Sequence, residues 1–156
     1  MSMRWVQFCA LLFTALSLVP AGAHLFEMPN KINLSQADYF VVQGIYRGWA
    51  LFALALFPSL AATLALAIVR RGQGWPFLAA LLSFACMAAT LVIFFTWTYP
   101  ANQATSNWTI VPADWQNLRS QWEYAHAVNA VLTFIAFCLL ALSASAPGEN
   151  RAAVNS

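Results

Sequence analysis

The sequence predicts an all-α integral membrane four-helix bundle, and three observations carry that prediction. Hydrophobic residues make up 62% of the 156 positions and charged residues only 8%, against roughly half and about a quarter in soluble domains. Four apolar stretches each reach the length of about 20 residues needed to cross a bilayer core. Polar residues collect between those stretches, and too little chain remains for a separate soluble domain.

The four spans are expected at about 5–26, 47–69, 75–97 and 122–142, together forming a single domain over 1–142. Trp5, Trp49, Trp75, Trp97 and Trp122 fall near their edges, where an amphipathic indole is most comfortable. Pro58 should bend the second span, because proline removes a backbone donor. Met28 precedes Pro29 and Tyr99 precedes Pro100, so both helices should end or distort there. Asp114 stands before Trp115 as a candidate cap for the last helix, which would then project above the membrane before entering it. Residues 143–156 are small and polar and read as a flexible cytoplasmic tail.

Arg4, Arg70, Arg71 and Arg151 fall on one side of the membrane. Lys31, Arg47 and Arg119 fall on the other, with Glu27, Asp38, Asp114 and Glu123. The positive-inside rule then makes both termini cytoplasmic, and the expected location is a bacterial inner (cell) membrane. A second reading of the start remains open. Arg4, the apolar run from Trp5 to Val19 and the triplet Ala21-Gly22-Ala23 also resemble a cleavable signal peptide. Cleavage would leave His24 as the new N-terminus, whose amine and imidazole would suit copper. Retention is the expectation, because losing the first helix would leave a polar-edged three-helix remnant.

Several function classes drop out. A net charge of +2 with no basic patch gives no sign of nucleic-acid binding. Cys9, Cys86 and Cys138 lie inside spans without Cys-x-x-Cys spacing and read as small core residues. There is no glycine-rich phosphate loop and no nucleophile elbow. The expected partners are the lipid bilayer and a lipophilic small molecule, and the sequence leaves the oligomeric state open.

The most informative feature is a mirrored pair, His24-x-x-Glu27 near the end of the first span and Glu123-x-x-His126 at the start of the fourth. Each puts an imidazole and a carboxylate one turn apart. Because the two helices run in opposite directions, both histidines should sit deeper than both glutamates by about 4.5 Å. Trp115, Arg119, Trp122, Glu123, His126 and Asn129 share one face of the last helix, and ionisable groups near a bilayer face the bundle interior. Tyr46 and Arg47 from the second span, and Tyr99, Asn102 and Gln103 beyond the third, add to the same rim.

Three readings of this cluster stand side by side. In the architectural one, Arg47 and Arg119 neutralise Glu27 and Glu123, the histidines bond to carboxylates or amides, and the network fixes helix register. In the second, His24, Glu27, Glu123 and His126 hold one divalent metal; a dinuclear site would lack ligands, since the second and third helices offer no acid. In the third, no cofactor is needed. His126 beside Glu123 is a general base, Asn102 and Arg119 stabilise a developing oxyanion, and Tyr46, Arg47, Tyr99, Trp115, Trp122 and Asn129 shape the pocket.

The run His24-Leu25-Phe26-Glu27-Met28-Pro29-Asn30-Lys31, then Tyr46-Arg47-Gly48-Trp49, Pro100-Ala101-Asn102, Asp114-Trp115 and Trp122-Glu123-x-x-His126 resembles the anthrone oxygenase-like family of small four-span membrane proteins. The likeness covers nearly the whole chain and is most specific at Pro-x-Asn and Trp-Glu-x-x-His. It implies an oxidoreductase acting on a lipophilic aromatic or quinone-like substrate without flavin or haem. His126 would be the base, and Asn102 and Trp122 would line the pocket. One departure is Asn129, which stands where the resemblance would put an arginine.

Overall fold

The computed structural model describes residues 2–145, and among these there is helix and turn but no strand. Helix α1 (Met3–Lys31) is followed by a short helix α2 (Gln36–Gln43), a 3-10 turn at Gly44–Tyr46 and another at Trp49–Phe52. Helix α3 (Ala53–Val69) continues directly from that second turn. Helix α4 (Trp75–Ile93) passes through a wide π turn (Phe94–Thr98) into α5 (Tyr99–Ala104), and α6 (Trp115–Ser145) closes the chain.

Four helical runs, Met3–Lys31, Trp49–Val69, Trp75–Ala104 and Trp115–Ser145, are long and apolar enough to cross a membrane. They form an all-α bundle in which α1 touches α3 and α6, and α4 touches the same two. The protein is an integral, multi-pass membrane protein. Its interior is built from small and hydroxylated side chains: Ala10, Thr14, Ser59, Thr63, Ala79, Ala80, Ser83 and Ala136 are fully buried. Large residues such as Leu54, Phe57, Val92, Phe95 and Phe134 point outward. Lipid tails are as apolar as leucine, so close backbone approach rather than burial of bulk holds such helices together. Two hydrogen bonds cross the seams between helices, Thr14 Oγ1 to Ser59 Oγ at 2.7 Å and Ser83 Oγ to the Ala136 carbonyl at 3.1 Å.

The end carrying the N-terminus is locked by Gln7, which donates to the Leu140 carbonyl at 3.0 Å and accepts from Arg70 at 2.9 Å. Burial pushes the Arg70 guanidinium below its ordinary pKa. At the other end α2 lies over the bundle and plants Tyr39 in a cluster with Ala101, Trp108 and Trp122. Ser35 starts α2, accepting from the Asp38 amide.

Several boundaries differ from expectation. Helix α1 runs past Pro29 to Lys31 instead of stopping near Phe26. A proline in the last turn forfeits only its own backbone bond, and the Ile32 amide still reaches the Met28 carbonyl at 2.9 Å. Arg47 lies before the second span, because Gly48 turns the chain at φ +88° and the helix starts at Trp49. Pro100 does not end the third span, which continues to Ala104 after the π turn. One extra residue in a turn rotates everything after it by about 100°, and here the bulge brings Ala101, Asn102 and Thr105 inward. Asp114 precedes α6, but only its backbone carbonyl bonds into the first turn, accepting from Asn117 and Leu118, and the expected carboxylate cap does not form. Residues 143–145 are helical rather than tail; the remainder of the expected tail lies outside the described residues.

Candidate functional site

The mirrored motifs meet at the end of the bundle that α2 covers. His24 and His126 stack with ring centroids 4.0 Å apart and planes inclined by 29°. Trp122 stands 4.2 Å from His126 and 5.0 Å from His24, and Tyr46 and Trp49 pack on His24 at 4.6 and 5.1 Å. The single site expected from the sequence is divided into two neighbours that share this aromatic wall.

The first is a closed ionic network. Lys31, only 2% exposed, places Nζ 3.1 Å from Glu123 Oε1 and 3.7 Å from Glu27 Oε1. Tyr39 donates to Glu123 Oε1 at 2.8 Å, while Gln43 donates to the Tyr39 oxygen at 2.5 Å. Tyr46 accepts from Lys31 and donates to Glu27. The Lys31 ammonium also lies over the rings of Tyr46 and Trp122, at 4.3 and 4.6 Å. Burial lifts both phenols above the ordinary tyrosine range, helped at Tyr39 by the charge of Glu123 and at Tyr46 by the bond to Glu27.

Three expectations are corrected here. Lys31, not Arg47 or Arg119, neutralises the two glutamates, because the extra turns of α1 carry its amine between them. Arg119 donates to the Leu34 carbonyl at 2.9 Å and stacks on Trp115 at 4.7 Å, so it does not pair with Glu123. Glu123 is engaged by Lys31 and Tyr39 and forms no bond to His126, which removes the expected carboxylate–imidazole dyad.

The metal set does not assemble either. Among the described residues no three His, Cys, Asp or Glu side chains are grouped to hold a metal ion. Stacked imidazoles lie in nearly parallel planes, so their in-plane lone pairs cannot converge, and an ammonium already stands between the carboxylates. His24 Nδ1 is 3.2 Å from Glu27 Oε1, yet off the line that a ring N–H bond requires.

The second neighbour is a cavity of about 1040 Å³. His24, Tyr46, Arg47, Asn102, Trp122, His126 and Asn129 line it, as expected; Tyr99, Trp115, Glu27, Glu123 and Arg119 do not. Tyr99 is exposed and tied to Gln103 at 3.0 Å, whereas Trp115 packs on Tyr39 and Phe40. Thr98, at the rim where the third span closes, and Trp49, read as an edge anchor, line it too, and so do Trp108 and Thr133, which the sequence did not single out.

Asn102 organises the wall. Its Oδ1 accepts from Trp122 Nε1 at 2.9 Å and Trp108 Nε1 at 3.2 Å. Two donors on one oxygen fix the amide's orientation and leave its NH₂ free of that pairing. Thr98 and Asn129 line the cavity, and Thr98 Oγ1 and Asn129 Oδ1 are buried without a hydrogen-bond partner. His126 makes no hydrogen bond to any described residue. Over the mouth, Ser106, Asn107 and Trp108 all adopt positive φ, between 48° and 64°. Three consecutive left-handed residues cost about 1–2 kcal/mol each, a strain that concentrates at functional sites.

Lys31 had a signal in the sequence, since Glu27 and Lys31 are four residues apart on a helix. Tyr39, on the same face of α2 as Gln43, had none that marked it as reaching Glu123. Compared with family models, curated proteins and solved structures, the chain matches none. The likeness to the anthrone oxygenase-like family therefore rests on the quoted motifs alone.

Proposed function

We propose that this membrane protein is an oxidoreductase that binds a lipophilic aromatic or quinone-like molecule in the cavity, with His126 as the general base. The observation that carries the reading is the cavity itself: its lining combines an imidazole with no protein hydrogen bond, Thr98 and Asn129 with unpartnered oxygens, and the Asn102 amide. Buried polar atoms without partners are costly, at about 1–3 kcal/mol each, and a ligand would satisfy them. Trp122, Trp49 and Tyr46 supply flat walls for a ring.

The reaction implied by the family likeness suits those groups. His126 removes an acidic C–H proton from an electron-rich ring system, and the Asn102 amide donates to the oxygen on which charge accumulates. Dioxygen is the oxidant: a CH₂ becomes a carbonyl, one oxygen atom is retained, and the other leaves as water with the two hydrogens. The neighbouring Lys31–Glu27–Glu123 network has an architectural role in this reading, supported by the absence of all three from the cavity lining.

The test is oxygen uptake and carbonyl formation by purified protein given a hydroxylated tricyclic ketone, comparing wild type with His126→Ala and His126→Asn. Loss of at least about 100-fold in turnover with substrate binding and melting temperature retained is expected. Equal turnover in the variants, or no uptake by the wild type with any such compound, overturns the proposal.

A further inference from the structure

The cavity reaches halfway across the bundle. Arg47, Asn107 and Thr109 line its outer end, and Ser17, Phe57, Thr90 and Thr133 its inner end. Each of the last four lies within a turn of the middle of its own membrane-length helix. The space therefore runs from head-group height to the centre of an apolar core about 30 Å thick, the depth occupied by one lipid leaflet.

Its side meets the lipid-facing surface between α3 and the π turn that follows α4. Phe57 and Phe95 both line the cavity, yet they are 57% and 59% exposed on the lipid-facing surface. The α-helical part of α3 starts only at Ala53, so its upper flank is a thin 3-10 turn. At the mouth, Arg47 is exposed, forms no ion pair among the described residues, and is the only lining residue with a formal charge, the two histidines counting as neutral.

We propose that the cavity takes an anionic amphiphile from the leaflet on the Arg47 side, its acidic head beside Arg47 and its apolar body entering between Phe57 and Phe95. The inference rests on the cavity being the ligand site but not on the chemistry at His126, so binding is measured without turnover. An apolar slot capped by one unpaired cation is complementary to a single negative charge on a greasy molecule. A free substrate with an acidic substituent and a membrane fatty acid share this chemistry.

The experiment uses bromine quenching of tryptophan in the full-length protein, with 9,10-dibromostearic acid and its methyl ester as probes. Trp49 and Trp122 report from the cavity wall. Saturable quenching by the acid is expected, reduced in Trp49→Phe. Arg47→Gln should weaken binding of the acid about fivefold and leave the ester unchanged, while Arg47→Lys keeps the preference. Quenching that never saturates, or acid and ester binding alike in wild type and Arg47→Gln, overturns the inference. Either outcome can occur while the oxidation of a neutral aromatic at His126 stands. Ring-compound turnover distinguishes source: a stearate that competes with turnover occupies the substrate's place, and one that leaves it untouched while binding saturably marks a lipid site.

Discussion

The ammonium of Lys31 lies 3.1 Å from Glu123 Oε1, joining the last turn of the first helix to the third turn of the last across 92 residues of chain. Glu123 is 1% exposed and Lys31 2%, so neither charge has water to fall back on. A buried pair of this kind is worth little in itself, but removing one partner strands the other.

Lys31→Met should therefore cost about 3–5 kcal/mol, and Lys31→Met combined with Glu123→Gln should recover much of it. Thermal or denaturant unfolding of both single variants and the double variant gives the coupling. If the double variant is no more stable than Lys31→Met, the pair is not what holds these ends together.

Asn102→Ala should remove the shared acceptor of two indoles, at about 1–3 kcal/mol. Asn102→Asp keeps the oxygen and should lose less. The fluorescence of Trp108 and Trp122 is the direct readout, and an unaltered emission maximum in Asn102→Ala would contradict the observed bonds.

Tyr39 and Tyr46 carry a pH dependence. Both phenols are held above the ordinary tyrosine range, so the folded protein keeps protons that the unfolded chain releases near pH 10. Their contribution is fully present below that pH and is lost as pH rises through it. Melting temperature should fall more steeply above about pH 10 in wild type than in Tyr39→Phe, and parallel curves would refute the assignment.

Two glycines should respond with opposite signs. Gly48 has φ +88° and Gly22 sits in the interior of α1, and an added Cβ meets nothing within 4 Å at either. Gly48→Ala should destabilise by about 1–2 kcal/mol through backbone strain alone. Gly22→Ala should be neutral or stabilise by up to about 1 kcal/mol. Equal effects in unfolding experiments would mean the turn at Gly48 is not left-handed.

The helices and their number were legible because the bilayer imposes a length and a composition on each span, and both are local properties of the sequence. The convergence of His24 with His126 was also within reach, since a helix has a fixed period and antiparallel helices invert a motif. Ion pairing was not. Residue types identify Lys31, Arg47 and Arg119 alike as cations near two acids, and the four-residue spacing from Glu27 favours Lys31 only if α1 continues past Pro29, which depends on packing.

What the sequence determined alone is therefore a set of four apolar helices with an acid and an imidazole at matched heights on the first and last. Tertiary structure alone decided that the acids turn toward Lys31 and Tyr39 while the imidazoles face a cavity, and that Asn102 swings inward after the π turn at Phe94–Thr98. The physical reason is that helical period and hydropathy act within about a turn of chain, whereas the choice among competing partners is made by distances across the bundle of a few ångströms.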